Sequence, residues 1–406
     1  MTHRRVLLTA GLSVALAAGA CTNDVLFSPA VPSYAGGAMF QRYVSMGNSI
    51  TAGFQSAGIN DSTQKQSYVA LVAGAMGAAY YYPSLTMPGC PPPLTNIFLQ
   101  ARVGGAGSTS TTCLLRSANI PPFLTNVAVP GAEVLDAVLN GPAPGTNSNA
   151  LTQLMLGGRT QTQAMQAAHP TFVSVWLGNN DLLGAAELGD TTFATDTGRF
   201  RREYAQVLDS IQATGASAVL IAVGLGHLAN GVVPPFFSRG TTWYSYWFNG
   251  AFNPAPFTVA ANCAPPRGDT VLVSFAYGFT LLAQAQRGSP TTLDCTIPPV
   301  DQPPQVRFFV RLQLEYNAII QSLAAAHSWA YTDGIDSTLD SLATDLGQIR
   351  PFPNIGNPPP GCATNTFGAA FSCDGIHPSA ATQRLIARKI VQAINQKYGS
   401  AIPAVP

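Results

Sequence analysis

The feature that most constrains this chain is an alternation of short apolar runs with longer helical segments. "YVSMG" at residues 43–47, "TFVSVWLG" at 171–178, "AVLIAVG" at 218–224 and "WAYTD" at 329–333 read as strands. "SYVALVAGAMGA" at 67–78, "RFRREYAQVLDSIQATG" at 199–215, "VRFFVRLQLEYNAIIQSLAAAHS" at 306–328 and "PSAATQRLIARKIVQAINQKYG" at 378–399 read as helices, the last with Pro378 in its first turn. Continuous apolar strands separated by helices call for a mostly parallel sheet covered on both faces, so the expected fold is α/β, a three-layer α/β/α sandwich. In that architecture functional groups gather on the loops at the carboxyl ends of the strands. Gly47, Gly178 and Gly224 each follow such a strand.

One stretch breaks the alternation. From about 225 to 305 the chain is rich in proline and aromatics; residues 236–257 hold nine aromatic side chains, and no charged residue occurs from Thr241 to Pro266. Such a length is too great for an ordinary loop and reads as an inserted subdomain or lid. Its aromatics fit either a small private core or an apolar wall facing a substrate.

The ends and the cysteines bear on location. Two arginines, Arg4 and Arg5, precede fifteen uncharged, mostly apolar residues from Val6 to Ala20, which reads as a signal peptide over 1–20 and is short for a membrane span. Cys21 follows Ala18-Gly19-Ala20, which resembles the lipobox of bacterial lipoproteins, with Ala18 where leucine is usual. The expectation is a lipid-anchored protein of the bacterial envelope, or a secreted or periplasmic one, with residues 21–40 as a tether and 41–398 as the functional domain. Of seven cysteines, six remain beside Cys21, and they fall into sequence neighbours: Cys90 with Cys113, Cys263 with Cys295, Cys362 with Cys373. Short loops close most readily, so local disulfides in an oxidising compartment are expected. There is no C-x-x-C and no histidine cluster, so no metal is expected. Only 10% of residues are charged, with a net charge of +1 and no long basic run, which leaves no electrostatic footprint for nucleic acid.

Four short blocks carry the chemistry. "VSMGNSITAG" at 44–53 sets Ser49 just beyond a strand, where it is either a turn serine or a hydroxyl exposed at a sharp strand-to-helix turn. "NVAVPGAEVLD" sets Gly131 after an apolar run, as a glycine needed for positive φ or a backbone N–H offered to an anion. "VWLGNNDLLG" sets Asn180 after a strand, as a turn asparagine or an amide above the sheet. "FSCDGIHPSAATQRLIA" places Asp374 three residues before His377, a spacing that lets the carboxylate orient the imidazole. Asp333 and Asp336 are alternative acid partners. Among the other histidines, His169 and His327 read as structural, and His227 as structural or lining the cleft.

Together, and in this order, the blocks resemble those of the SGNH or GDSL hydrolases over roughly residues 41–397. The resemblance implies a serine-dependent carboxylic ester hydrolase without cofactor. It puts the nucleophile on Ser49, the acid and base on Asp374 and His377, and oxyanion donors on Ser49, Gly131 and Asn180. Asn48 stands where the family carries aspartate, a position outside the triad. The implied partner is an ester substrate: lipid-like, if the aromatic insertion serves acyl chains, or an acetylated glycan. A non-catalytic surface binding protein of the same fold is the reading from another class.

Overall fold

The computed structural model describes residues 37–97, 99–105, 116–118, 121–140, 149–224, 233–250, 256–350, 352, 362 and 366–406. Cys21, Cys113 and His227 lie outside them.

Strand β1 (Tyr43–Gly47) runs into the single helical turn α1 (Ser49–Ala52), and α2 (Tyr68–Met76) and α3 (Gln161–Ala167) follow. Next come β2 (Phe172–Trp176), α4 (Asn180–Leu188), α5 (Thr197–Gln212) and β3 (Ser217–Ile221). After the segment that interrupts the alternation, α6 (Pro303–Ala326), β4 (Ala330–Thr332), α7 (Gly334–Leu342) and α8 (Ala380–Tyr398) complete the order. The helix read from residue 378 starts later than expected. Ser379 is its cap, accepting the Thr382 N–H, and Pro378 lies outside it, bridged antiparallel to Phe371.

The four strands form one parallel sheet in the order β1-β2-β3-β4, with Tyr43 opposite Phe172, Phe172 opposite Ser217 and Val219 opposite Ala330. Every residue of β1 and β2 is buried, as a sheet covered on both faces requires. Helices α2 and α8 pack together, with α8 against β3 and β4; α3, α5 and α6 pack against β1 and β3. Residues 125–129 run along the free edge of β1, where the Ser45 N–H donates to Thr125 O and the Val127 and Val129 N–H groups donate to Ser45 O and Gly47 O. This irregular fifth strand delivers the Gly131 loop to the end of β1. Phe40, at the close of the segment read as a tether, is buried against the Phe172 ring.

Among the described residues, the interrupting segment holds Phe237–Arg239 paired with Leu272–Ser274, and Phe257–Val259 paired with Thr291–Leu293. The expected Cys263–Cys295 disulfide is formed there, and Cys362–Cys373 is formed next to Asp374. Cys90 is disulfide-bonded. The segment's core is not private. Trp243, Phe257, Val273 and Leu293 share one buried cluster with Phe352, Phe367 and Cys373.

The exit of β1 is clamped by one side chain. Gln161 accepts from the Gly47 N–H and donates to Gly47 O, both at 2.9 Å, and is itself buried. Gly47 O keeps Val129 as a second donor, but the Gly47 N–H would be left buried and unpaired in Gln161→Ala. That variant is expected to lose about 2 kcal/mol in urea unfolding at unchanged m value; a loss under about 0.5 kcal/mol would show the clamp to be dispensable.

Candidate active site

Ser49 sits at the point where the chain leaves β1 and turns at once into α1. The turn is tight enough that a side chain at Gly47 would collide with Thr51, 2.2 Å from Oγ1, so only glycine fits there. Asn48 is buried and caps α1, its Oδ1 accepting the Ile50 N–H at 3.2 Å. This is work that an uncharged amide does as well as a carboxylate. Ser49 is half-buried, and its hydroxyl makes no hydrogen bond to a described residue, His377 included.

The Gly131 and Asn180 blocks meet. Gly131 has φ +80°, and the next residue, Ala132, accepts a hydrogen bond from Asn180 Nδ2 at 2.8 Å. That bond uses one amide hydrogen and leaves the other for a ligand. Asp181 reinforces the pairing by accepting the Val134 N–H at 3.0 Å, and Asn179 Nδ2 donates to Gly224 O, just past the end of β3. Burial pushes the Asp181 carboxyl up to about 7, and nearby Glu133 adds to the effect.

Asp374 and His377 are joined as the spacing predicts, with His377 Nδ1 2.8 Å from Asp374 Oδ2. The carboxylate accepts four further bonds, from Ala57 N (2.5 Å), Ile376 N (2.9 Å), His377 N (2.9 Å) and Ser372 Oγ (3.1 Å). Burial alone would raise its pKa. The His377 charge and these donors outweigh it and hold the carboxyl at about 2. Asp336 is not an alternative partner: it accepts from Gln313 Nε2 at 3.1 Å, and Asp333 is exposed. His327 caps the end of α6 beside Gln212 and stacks on Trp329, as a structural histidine would.

What ties this pair to the Ser49 segment is the loop after α1. Phe54 N–H donates to Ser49 O at 2.9 Å, while the Phe54 ring lies 4.9 Å from the His377 ring. Ser56 and Ala57 both adopt positive φ, which costs a non-glycine residue energy and turns the Ala57 N–H onto Asp374. Ser56 N–H donates to Ser372 Oγ, and Cys373 N–H donates to Ser56 Oγ.

Sequence reasoning missed Gln161, Phe54, Ser56, Ala57 and Ser372. It also missed Glu187, seven residues after Asn180 and so on the same face of α4. Burial raises the Glu187 carboxyl, while the His377 charge opposes the rise. Seven-residue spacing from Asn180 was the only signal for it.

Because the Asp374 pKa is lower in the fold than in the unfolded chain, its contribution to stability is complete above about pH 4 and is lost as pH falls through about 2. Urea unfolding from pH 5 to pH 2 should therefore show a steeper loss for wild type than for Asp374→Asn. Parallel curves would contradict the pairing.

The model of the GDSL-like lipase/acylhydrolase family matches residues 43–255. Among solved structures, a catalytic mutant of Axe2, an acetylxylan esterase from Geobacillus stearothermophilus, is similar at 12% identity, covering 87% of this chain and 94% of that one with a TM-score of 0.39. TesA is similar at 12% identity, covering 87% of this chain and 98% of its own, with a TM-score of 0.37. A comparison with curated proteins finds no match. With the family match running over more than half its length, from β1 through the Gly131 and Asn180 blocks, the chain belongs to the GDSL-like lipase/acylhydrolase family and is a serine ester hydrolase of the SGNH type.

Proposed function

We propose that the enzyme cleaves carboxylic esters outside the cytoplasm with Ser49 as nucleophile, His377 as base and Asp374 as its orienting acid. The observation that carries this reading is the Asp374–His377 pair, bonded through Ala57 to the loop that leaves Ser49. A serine hydroxyl is a poor nucleophile until a base takes its proton. His377, held at Nδ1 by Asp374, presents Nε2 for that transfer and then returns the proton to the leaving alcohol. The Ser49 hydroxyl has no competing partner among the described residues, and a serine–histidine bond commonly tightens only when substrate arrives. As the carbonyl carbon becomes tetrahedral, the N–H groups of Ser49 and Gly131 and the free amide hydrogen of Asn180 receive the negative charge on its oxygen. Water then attacks the acyl-enzyme as His377 takes its proton, the bond to Ser49 Oγ breaks to release the acid, and His377 returns the proton to Ser49.

Export rests on the disulfides, which persist in oxidising compartments, and on the leader with Cys21 as a lipid anchor. No helix among the described residues is long and apolar enough to cross a membrane. In domain terms the reading is a hydrolase domain over 41–398 with the aromatic insertion inside it. An acetylated glycan is the second substrate reading, favoured by the stacked rings of Tyr244 and exposed Phe248, which offer a platform to a sugar.

Hydrolysis of p-nitrophenyl acetate by residues 22–406 tests the mechanism. Ser49→Ala should lower kcat by at least about 10³-fold, and Asn180→Ala by about 10²- to 10³-fold at nearly constant KM. Activity that survives Ser49→Ala would overturn the assignment.

A further inference from the structure

The face of α4 that begins with Asn180 runs on through Gly184 and Glu187. They follow Asn180 by four and seven positions, a spacing that puts all three on one side of the helix. Gly184 is exposed, and a Cβ built there would meet no atom within 4 Å, so the stripe beyond the Asn180 amide is bare backbone beside open space. Glu187 closes the stripe about 10 Å along the axis from Asn180, and its side chain leans back toward the start of the helix.

The insertion fixes this end of α4 close to the catalytic turn. Ser274 Oγ donates to Glu187 O at 3.3 Å, and the next residue, Phe275, sets its ring edge-on to Phe367, the ring that packs beneath Gly375 between Asp374 and His377. Ser274 meets only the Glu187 backbone. The half-buried carboxylate accepts no hydrogen bond or ion pair from another described residue. The charges that act on it are those of His377 and Asp374, with no lysine or arginine among them. While His377 is neutral, the two carboxylates leave this side of the site negative.

We propose that Glu187 is a specificity-determining residue, whose carboxylate holds a positively charged, ammonium-bearing arm of the ester laid along the bare stripe from Asn180. The inference deepens the reading of Ser49 as nucleophile and rests on it. A cation brought beside a half-buried carboxylate gains much more than it would in bulk water, and an arm of the same shape without the charge gains none of this. Glu187 also favours protonated His377 during turnover, but it does so equally for every ester. A comparison of esters that differ only in charge therefore isolates the arm.

Two pairs of charge isosteres make that comparison. Choline acetate against 3,3-dimethylbutyl acetate varies the alcohol arm, and p-nitrophenyl 4-(trimethylammonio)butanoate against p-nitrophenyl 5,5-dimethylhexanoate varies the acyl arm. Each kcat/KM, measured at about pH 8, is divided by the rate of hydroxide-catalysed hydrolysis of the same ester to remove intrinsic reactivity. In one pair the cationic ester should be favoured at least about fivefold. Glu187→Gln should bring that ratio to within about twofold of one, and Glu187→Lys should carry it below one. Gly184→Lys, at an exposed position with room for the side chain, pairs with Glu187 three residues on; it should lower the ratio likewise and serves if the Glu187 variants do not fold. Ratios near one in both wild-type pairs, or a preference that these substitutions leave unchanged, would overturn the subsite. Undiminished hydrolysis of the neutral esters by Ser49→Ala would instead overturn the reading of Ser49, which keeps the two failures distinct.

Discussion

A buried carboxylate must have its charge answered by donors, and the origin of those donors around Asp374 explains much of the site. Two backbone N–H groups come from its own turn, one hydroxyl from Ser372 and one N–H from Ala57, more than three hundred residues earlier. That last bond joins the loop leaving the first strand to the turn entering the last helix. It costs a left-handed backbone at Ser56 and Ala57, a local strain tolerated because it keeps the carboxylate ionised and the imidazole in one orientation. The parallel sheet supplies the frame: all four strands deliver their carboxyl ends to the same side, so loops far apart in sequence become neighbours.

Much of this was legible in the sequence, and the limit has a physical form. The strands were readable because burial on both faces leaves few polar residues in them. The Asp374–His377 contact was readable because three residues on a turn fix its geometry, and the two disulfides because short loops favour near partners. Contacts whose partners lie far apart leave no local trace. Gln161 grips Gly47 across 114 residues, and nothing in "TQTQAM" separates it from the neighbouring Gln163, which serves only its own helix cap. Residues 125–129 were missed as an edge strand because their hydrogen bonding to β1 is irregular. Pro378 was misplaced by one helical boundary because Ser379 takes the capping role.

The aromatic segment shows the same limit on a larger scale. Its composition allowed a private core or a wall for the site, and the packing combines both. Phe275 lies edge-on to Phe367, whose ring packs beneath Gly375 between Asp374 and His377. The segment's core thus packs behind the turn that carries Asp374 and His377, while Val233 and Phe236 line one pocket with Ile50 and Ile376. A large insertion is in this way tied to the chemistry without contributing a member of the proposed triad.

The account turns on Ser49 being the one activated hydroxyl. Labelling the folded protein with a fluorophosphonate and locating the adduct by peptide mass spectrometry tests this directly, because the reagent requires a serine whose proton a base can take. The account predicts a single adduct on the peptide containing Ser49, absent in Ser49→Ala and strongly slowed in His377→Ala. An adduct on another serine, or none on a protein shown to be folded, would contradict it.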